Sequence, residues 1–203
     1  MQAPHRRAAR RWAGLGLAGT LLGVVALAGV HSASIGRDDV RGLVDAAAGT
    51  PEPDADSSDG RVEGDPISLD RDHLAISRLD PELLGALVRA DRSADRSSIE
   101  LTVTSGWRSA EYQRELLLQA IDEYGNRDEA LKWVQTPRVS SHTKGEGVDI
   151  GPPEAAAWLD RAGARFGLCR IYANEDWHFE LAVRPGGTCP ELLEDSSVAV
   201  PDP

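Results

Sequence analysis

Apolar side chains recur at helical spacing in several segments of the chain. Residues 83–88 place leucine and valine on one face, directly after Asp80 and Pro81. Aspartate suits the position before a helix and proline its first residue, so a helix is predicted to begin at Pro81. Three further helices are predicted, over 110–124, over 128–134 and from the proline pair 152–153. The first has Tyr112, Leu116 and Gln119 along one stripe, with Leu117 and Ile121 beside it.

Alternating and β-branched residues predict the strands. Residues 99–104 have this pattern and are followed by a glycine-containing loop. Three further strands are predicted over residues 147–150, 168–172 and 177–183. Helices and strands are mixed without a regular β-α-β order. This mixture favours an α+β fold, a compact single domain with a small antiparallel sheet flanked by helices.

The beginning of the chain lacks this periodicity. Residues 1–33 combine a basic start with an uncharged apolar run, which predicts an export signal or a membrane anchor. The run is close to the minimum of about 20 residues that spans a bilayer, so cleavage and retention both stay open. A buried core helix is the less favoured alternative. Residues 34–66 predict a flexible acidic spacer, 67–190 the folded domain and 191–203 an acidic tail.

Charge and location narrow the possible partners. The 203 residues carry a net charge of −11, which disfavours nucleic acid as a partner. An export segment predicts an extracytoplasmic protein of the cell envelope, either anchored in the membrane by that segment or secreted. A monomer is expected. Acidity alone would also fit a purely structural exodomain.

The chain has two cysteines, Cys169 and Cys189. Both follow the export segment and would meet an oxidising compartment, which favours a disulfide over two free buried thiols. In the chain-entropy view, a bridge across this spacing contributes roughly 3 kcal/mol.

Two histidines lie in motifs that could bind a metal ion. His142 precedes Asp149 across a glycine-rich turn, and His178 lies in an acidic and aromatic run. These three side chains would form a zinc shell with a fourth position left for water, which is the catalytic pattern. A lone histidine is more often structural, but here each histidine has a carboxylate nearby.

A hydrolytic zinc site also needs a base and a group that stabilises negative charge. Glu175 is the candidate base, provided that it lies in the turn before the strand, because positions three apart face opposite sides of a strand. Glu180 would share a face with His178 and orient it, unless it is a solvated strand residue. Arg108 follows a strand end and would stabilise the oxyanion, although a surface arginine is the alternative.

Three motifs follow one another between residues 99 and 183. They are Ser105-Gly106-Trp107-Arg108-Ser109, Ser140-x-His142-x-x-Gly145-x-Gly147-x-Asp149 and Glu175-x-Trp177-His178-Phe179-Glu180. Together they resemble the VanY-type D-alanyl-D-alanine carboxypeptidase family, which includes related zinc D,D-dipeptidases and L-alanyl-D-glutamate endopeptidases. The family usually has alanine where this chain has Gly147. The glycine should not abolish zinc binding, but it could loosen the entry to the strand.

The resemblance implies a zinc ligand set of His142, Asp149 and His178. It also implies that Glu175 is the catalytic base and that Arg108 polarises the scissile carbonyl group. Two further residues, Ser140 and Gln113, are implied to bind the substrate, Ser140 by holding its terminal residue.

The expected activity is therefore zinc-dependent removal of the terminal D-alanine from peptidoglycan stem peptides. A D,D-dipeptidase, an L,D-carboxypeptidase or an endopeptidase would use the same centre. A wall-binding module that keeps zinc only for structure is the rival from another class, and the presence of Glu175 argues against it.

Overall fold

The computed structural model describes residues 58–198. The predicted export segment and residues 34–57 of the predicted spacer lie outside these residues. Within 58–198, no helix is both long enough and apolar enough to cross a membrane.

The helices are arranged around one antiparallel sheet. They are α1 (Leu74–Ser77), α2 (Pro81–Ala94), α3 (Ala110–Tyr124), α4 (Arg127–Leu131), α5 (Ser141–Lys144) and α6 (Pro153–Ala162). The strands are β1 (Ile67–Ser68), β2 (Thr102–Ser105), β3 (Gly147–Gly151), β4 (Leu168–Arg170) and β5 (His178–Leu181). Three 3-10 turns lie at Asp95–Ser97, Gly163–Phe166 and Ser196–Val198.

In the described residues the sheet has five strands in the order β1-β2-β3-β5-β4, and all neighbours are antiparallel. This arrangement confirms the predicted α+β class with a small antiparallel sheet. Strand β3 is central, and Asp149 is the direct cross-strand partner of His178 on β5. The two candidate metal ligands therefore lie on the same face of the sheet.

The main apolar core lies on the opposite face. Alternate strand residues point into it and pack against α2 and α6: Val103, Val148, Ile150 and Phe179. Helix α2 begins as predicted, because the Asp80 carboxylate accepts hydrogen bonds from the backbone N–H groups of Glu82 and Leu83. Its buried residues, which include Leu83 and Leu87, join the same core.

Several boundaries differ from the predicted ones. The β2 strand starts at Thr102 rather than at residue 99, and α4 ends at Leu131 rather than at 134. Along α3 the buried residues are Gln113, Leu117 and Ala120, so the predicted stripe through Tyr112 was wrong. A glutamine, not an aromatic residue, turns inward because its amide finds polar partners there.

The ends of the described region also contact the domain. The Ser109 amide donates to the Asp59 carbonyl oxygen at 2.8 Å, and the Arg61 guanidinium lies 4.0 Å from the centre of the Tyr112 ring. Residues 59–61 of the predicted spacer therefore contact the domain, whereas 63–66 are exposed, and the boundary at residue 67 itself stays a prediction. At the other end, Leu193 pairs with Tyr172 in an isolated bridge.

The disulfide joins Cys169 and Cys189, whose Cα atoms are 5.7 Å apart. This pairing confirms the predicted bridge. Cys169 is buried on β4, and the bond fastens the chain that follows Cys189 to the edge of the sheet.

Candidate metal centre and its cavity

Three side chains converge on one point at the polar face of the sheet. His142 Nε2 lies 3.2 Å from His178 Nδ1 and 3.3 Å from Asp149 Oδ1, and the last two atoms are 3.0 Å apart. All three residues are buried. Ligand atoms about 2.0–2.1 Å from a tetrahedral zinc ion are separated by about 3.3 Å, so this triangle fits the ion.

One ring nitrogen of each histidine faces an oxygen acceptor outside the cluster, so the other ring nitrogen faces the candidate metal position. His142 Nδ1 lies 2.8 Å from the Gly106 carbonyl oxygen, which can only accept, so Nδ1 is the donor and Nε2 is free to bind. His178 Nε2 lies 3.0 Å from Glu180 Oε1, which leaves Nδ1 on the side of Asp149. A hydrogen bond at the ring nitrogen that does not bind the metal fixes the orientation of the ring and raises the basicity of the other nitrogen as a ligand.

Local structure explains how His142 reaches the site. Helix α5 spans a single turn and ends at Gly145, whose φ of +76° is strained for any residue with a side chain. The tight turn brings the chain directly from His142 into β3, where Asp149 faces the histidine. The third histidine of the domain, His73, accepts a hydrogen bond from the Ala75 amide at the start of α1 and lies apart from this cluster.

Gly147 is packed tightly between the two ligand segments. A Cβ atom at this position would lie 2.4 Å from Ser141 Oγ and 2.8 Å from His178 Cε1. Ser141 occupies the space that an alanine methyl group would need. The packing at Gly147 is therefore tight, and the expected loosening of the strand entry is not seen. Ser141 Oγ lies 3.4 Å from His178 Nε2 in this space.

The electrostatics of the cluster follow from burial and close contacts. Burial alone would raise the pKa of Asp149, but His142, His178 and Arg108 together hold it well below its usual range. Burial and the Arg108 charge lower the pKa of His142. Burial would also lower the pKa of His178, yet its hydrogen bonds to Asp149 and Glu180 raise it to about 10.

Arg108 lies between the metal ligands and the substrate-binding candidates. Its Nη2 donates to Asp149 Oδ2 at 2.9 Å, its Nη1 to Gln113 Oε1 at 3.1 Å and its Nε to Ser105 Oγ at 2.7 Å. A guanidinium has five N–H donors, so two remain for another acceptor. The structure thus brings Arg108 and Gln113 to the ligand cluster and makes the surface alternative for Arg108 wrong.

Glu175 lies just before the turn that leads into β5, as its proposed role requires. Its side chain is buried, and its Oε1 has no hydrogen-bond partner among the described residues. Burial raises the pKa of this carboxyl group to about 7. A buried carboxylate without a partner is costly, and such groups are concentrated at functional sites.

These side chains border one cavity of about 190 Å³. Ser140 lines it, and the Ser140 side chain makes no hydrogen bond to the helix that it precedes. The lining residues that were not predicted include four polar or aromatic side chains outside the three motifs: Trp133, Gln135, Tyr172 and Ser196. They carry no motif, since Trp133 and Gln135 lie in a loop, Tyr172 in an isolated bridge and Ser196 in a 3-10 turn.

Residues 76–183 match the family model described as VanY, D-alanyl-D-alanine carboxypeptidase. The chain belongs to this family. The match extends over more than half of the 203 residues and includes the whole ligand cluster with Arg108 and Glu175. The resemblance inferred from the three motifs is therefore confirmed.

Solved structures similar to this VanY-family chain include VanYB in complex with D-alanine-D-alanine, which is 28% identical over 50% of this chain and 70% of that chain, with a TM-score of 0.48. A mutant of the VanY D,D-pentapeptidase from a VanB-type vancomycin resistance cassette, in complex with Zn(II), is 28% identical over 54% and 73% (TM-score 0.47).

The LdcB LD-carboxypeptidase is 19% identical over 61% of this chain and 68% of its own, with a TM-score of 0.50. At this identity the likeness supports the fold alone. No curated protein sequence matches the VanY-family chain.

Proposed function

We propose that this protein is a zinc-dependent D,D-carboxypeptidase that removes the terminal D-alanine from peptidoglycan stem peptides. Membership of the VanY family supports the carboxypeptidase class. The observation that carries the proposal is the buried His142–Asp149–His178 triangle beside Glu175, whose Oε1 has no hydrogen-bond partner within residues 58–198. A site that bound zinc only for structure would have a closed set of four protein ligands and no need of such a base.

Zinc held by the three ligands would polarise the scissile carbonyl group and lower the pKa of a water molecule to about 7. The protein's own residues then have to move one proton and stabilise one negative charge. Glu175 borders the same cavity as the ligands, and its carboxylate accepts the proton of the attacking water. As the C–O bond forms and the C–N bond breaks, Glu175 returns that proton to the leaving amine.

Arg108 supplies the positive charge for the oxygen of the tetrahedral species. Its three hydrogen bonds to Ser105, Gln113 and Asp149 fix the plane of the guanidinium, so its remaining N–H groups need no reorganisation during the reaction. Gln113 also donates to the Gln135 carbonyl oxygen at 2.9 Å, which holds it at the cavity wall. Ser140 and Gln113 bind the terminal residue at this end.

The cellular setting follows from the substrate. Peptidoglycan lies outside the cytoplasmic membrane, so a VanY-family enzyme acts in the cell envelope. We propose that the apolar segment within residues 1–33 directs export and either anchors the protein or is cleaved. The domain acts as a monomer.

The test is incubation of the full chain, loaded with zinc, with a stem pentapeptide that ends in D-Ala-D-Ala. Mass spectrometry should show the loss of one alanine, and a chelator should stop it. Glu175→Gln should lower kcat by about 10²–10⁴-fold, the contribution typical of a general base. Zinc content should be unchanged, and Glu154→Gln, an exposed glutamate at the start of α6, is the matched control.

The product identifies the bond that is cleaved. Hydrolysis of the free D-Ala-D-Ala dipeptide with the pentapeptide left intact would replace the proposal with a D,D-dipeptidase. Loss of two residues at once would replace it with an endopeptidase, and cleavage of a tetrapeptide alone with an L,D-carboxypeptidase. Bound muropeptide without turnover would favour the wall-binding module. Full activity of Glu175→Gln would contradict the mechanism.

A further inference from the structure

The segment Leu192–Val198, called here the C-terminal segment, follows the family-matched residues 76–183 in the chain. It nevertheless reaches the candidate active site. Ser196 is 4% exposed and lines the same cavity as Arg108, Gln113 and His178. A part of the cavity wall is therefore supplied by residues outside the family motifs.

Hydrogen bonds hold the C-terminal segment against two parts of the domain. Leu193 donates to the Ile171 carbonyl oxygen at 2.9 Å and accepts from the Ala173 amide at 2.8 Å, next to Tyr172. Ser196 Oγ donates to the Leu131 carbonyl oxygen at 2.8 Å at the end of α4. The disulfide from Cys189 to Cys169 adds a covalent link just before the segment. The position of Ser196 is thus fixed from both sides.

A chain of hydrogen bonds connects this segment to the ligand cluster. Gln135 Nε2 donates to the Ser196 carbonyl oxygen at 3.3 Å and to Tyr172 Oη at 3.0 Å. The Gln135 carbonyl oxygen accepts from Gln113 Nε2, and Gln113 Oε1 accepts from Arg108. Displacement of Ser196 would remove a partner of the buried Gln135 amide and free the loop that holds Gln113.

We propose that the C-terminal segment is the wall that sets the size of the leaving residue. This inference rests on the proposed function, because Gln113 and Ser140 assign this end of the cavity to the terminal residue of the substrate. The cavity of about 190 Å³ is smaller than the roughly 300–1,000 Å³ of pockets that bind larger ligands, so a small side chain such as a methyl group fits best. Without the segment, the cavity opens beside Gln135 and accepts a larger leaving residue.

The experiment compares four variants with the wild-type chain. One form ends at Leu193, which keeps the disulfide and the pairing with Tyr172 but removes Ser196. The matched control ends at Val198 and retains the whole segment. The third variant, Ser196→Ala, loses the bond to Leu131 and is used if the shorter chain does not fold. Glu194→Gln, an exposed residue of the same segment, is its control.

Each form receives two stem peptides, one ending in D-alanine and one in D-leucine, and kcat/KM is measured for both. The preference for D-alanine should fall by about tenfold or more in the form that ends at Leu193, since differences of a few methylene groups in a pocket are worth at least this much. The change should be mainly in KM, with zinc content unchanged. Both controls should keep the wild-type preference.

An unchanged preference, or an equal loss for both peptides, would overturn the inference and leave a structural role for the segment. Failure of the proposed function has a different signature, which is no release of either residue by the wild-type chain. In that case calorimetric binding of the same two peptides to zinc-loaded Glu175→Gln, with and without the segment, still decides the point. A preference that does not depend on the segment, or no binding at all, would overturn it.

Discussion

The two faces of the sheet are both buried, but they differ in chemistry. One face is mainly apolar and packs on α2 and α6, and its one charged strand residue among those described, Arg170 at the β4 edge, pairs with Asp160 of α6. The other carries Asp149, His178 and Glu180, whose polar atoms bind one another, and Ser105, which accepts a hydrogen bond from Arg108. Along β5 the two kinds alternate, so Phe179 lies between His178 and Glu180 and points away from them. The apolar face can be stabilised by packing alone, whereas every polar atom on the other face needs a partner.

Truncation of the neighbouring β5 residues His178 and Phe179 should therefore have different consequences, one for zinc binding and the other for stability. These two substitutions have the largest expected effects. Phe179→Ala should lower the free energy of unfolding by about 3–5 kcal/mol, because it empties the centre of the apolar core. His178→Ala should keep the fold but weaken zinc binding by more than about a hundredfold, the upper range for loss of an outer contact. Urea unfolding and metal analysis of both variants measure the two losses.

Stoichiometric zinc in His178→Ala would contradict the ligand assignment. Equal destabilisation by the two substitutions would contradict the division of roles between the faces. Leu83→Ala on α2 is a useful control, since it affects the apolar core from a helix that contributes nothing to the ligand cluster.

A more conservative change tests the support of the ligand. Glu180→Gln removes the charge that faces His178 Nε2 at 3.0 Å while keeping the size of the side chain. Zinc affinity should fall by about 10–100-fold, because Glu180 holds the ring of His178 and raises its basicity. Titration against a competing chelator measures this affinity. A wild-type affinity would show that Glu180 is a solvated residue, and Glu146→Gln on the exposed turn before β3 is the control.

The smallest expected effect concerns Gly147. Gly147→Ala should destabilise the protein by about 1–3 kcal/mol, the usual cost of overpacking, because the new methyl group meets Ser141 Oγ and His178 Cε1. Ser141→Ala removes the closest of these atoms, so the double variant should recover part of the loss. Thermal unfolding of the two single variants and the double variant gives the coupling. If the free-energy changes of Gly147→Ala and Ser141→Ala simply add in the double variant, the clash between the new methyl group and Ser141 Oγ is contradicted.

Much of the ligand cluster could be predicted because its determinants are local. The alternation from Trp177 onward predicted that His178 and Glu180 share a face, and the glycine-rich turn predicted a close approach of His142 and Asp149. What the sequence could not supply is the register between β3 and β5, since the pairing of Asp149 with His178 depends on contacts distant in the chain.

The opposite end of the cavity was missed for a related reason. Gln135 and Ser196 each contribute a backbone carbonyl oxygen as acceptor, which every residue has and which leaves no pattern in the sequence, and their side chains bond to partners distant in the chain. The buried side of α3 was misjudged because Gln113 counts as polar in any periodicity argument, yet it is buried through its bonds to Arg108 and Gln135. Strand ends differed because the N-terminal part of the predicted 99–104 strand leads from the turn after α2 into the sheet before ladder pairing begins.

The pairing of Asp149 with His178 has a consequence for motion within the native state. These residues face each other across β3 and β5, and the adjoining Ile150 amide donates to the Trp177 carbonyl oxygen at 2.9 Å. An ion held by both strands cannot remain bound while they separate. Hydrogen exchange at Ile150 would then report the lifetime of the metal complex, because local opening of this strand pair and release of the ion become one event.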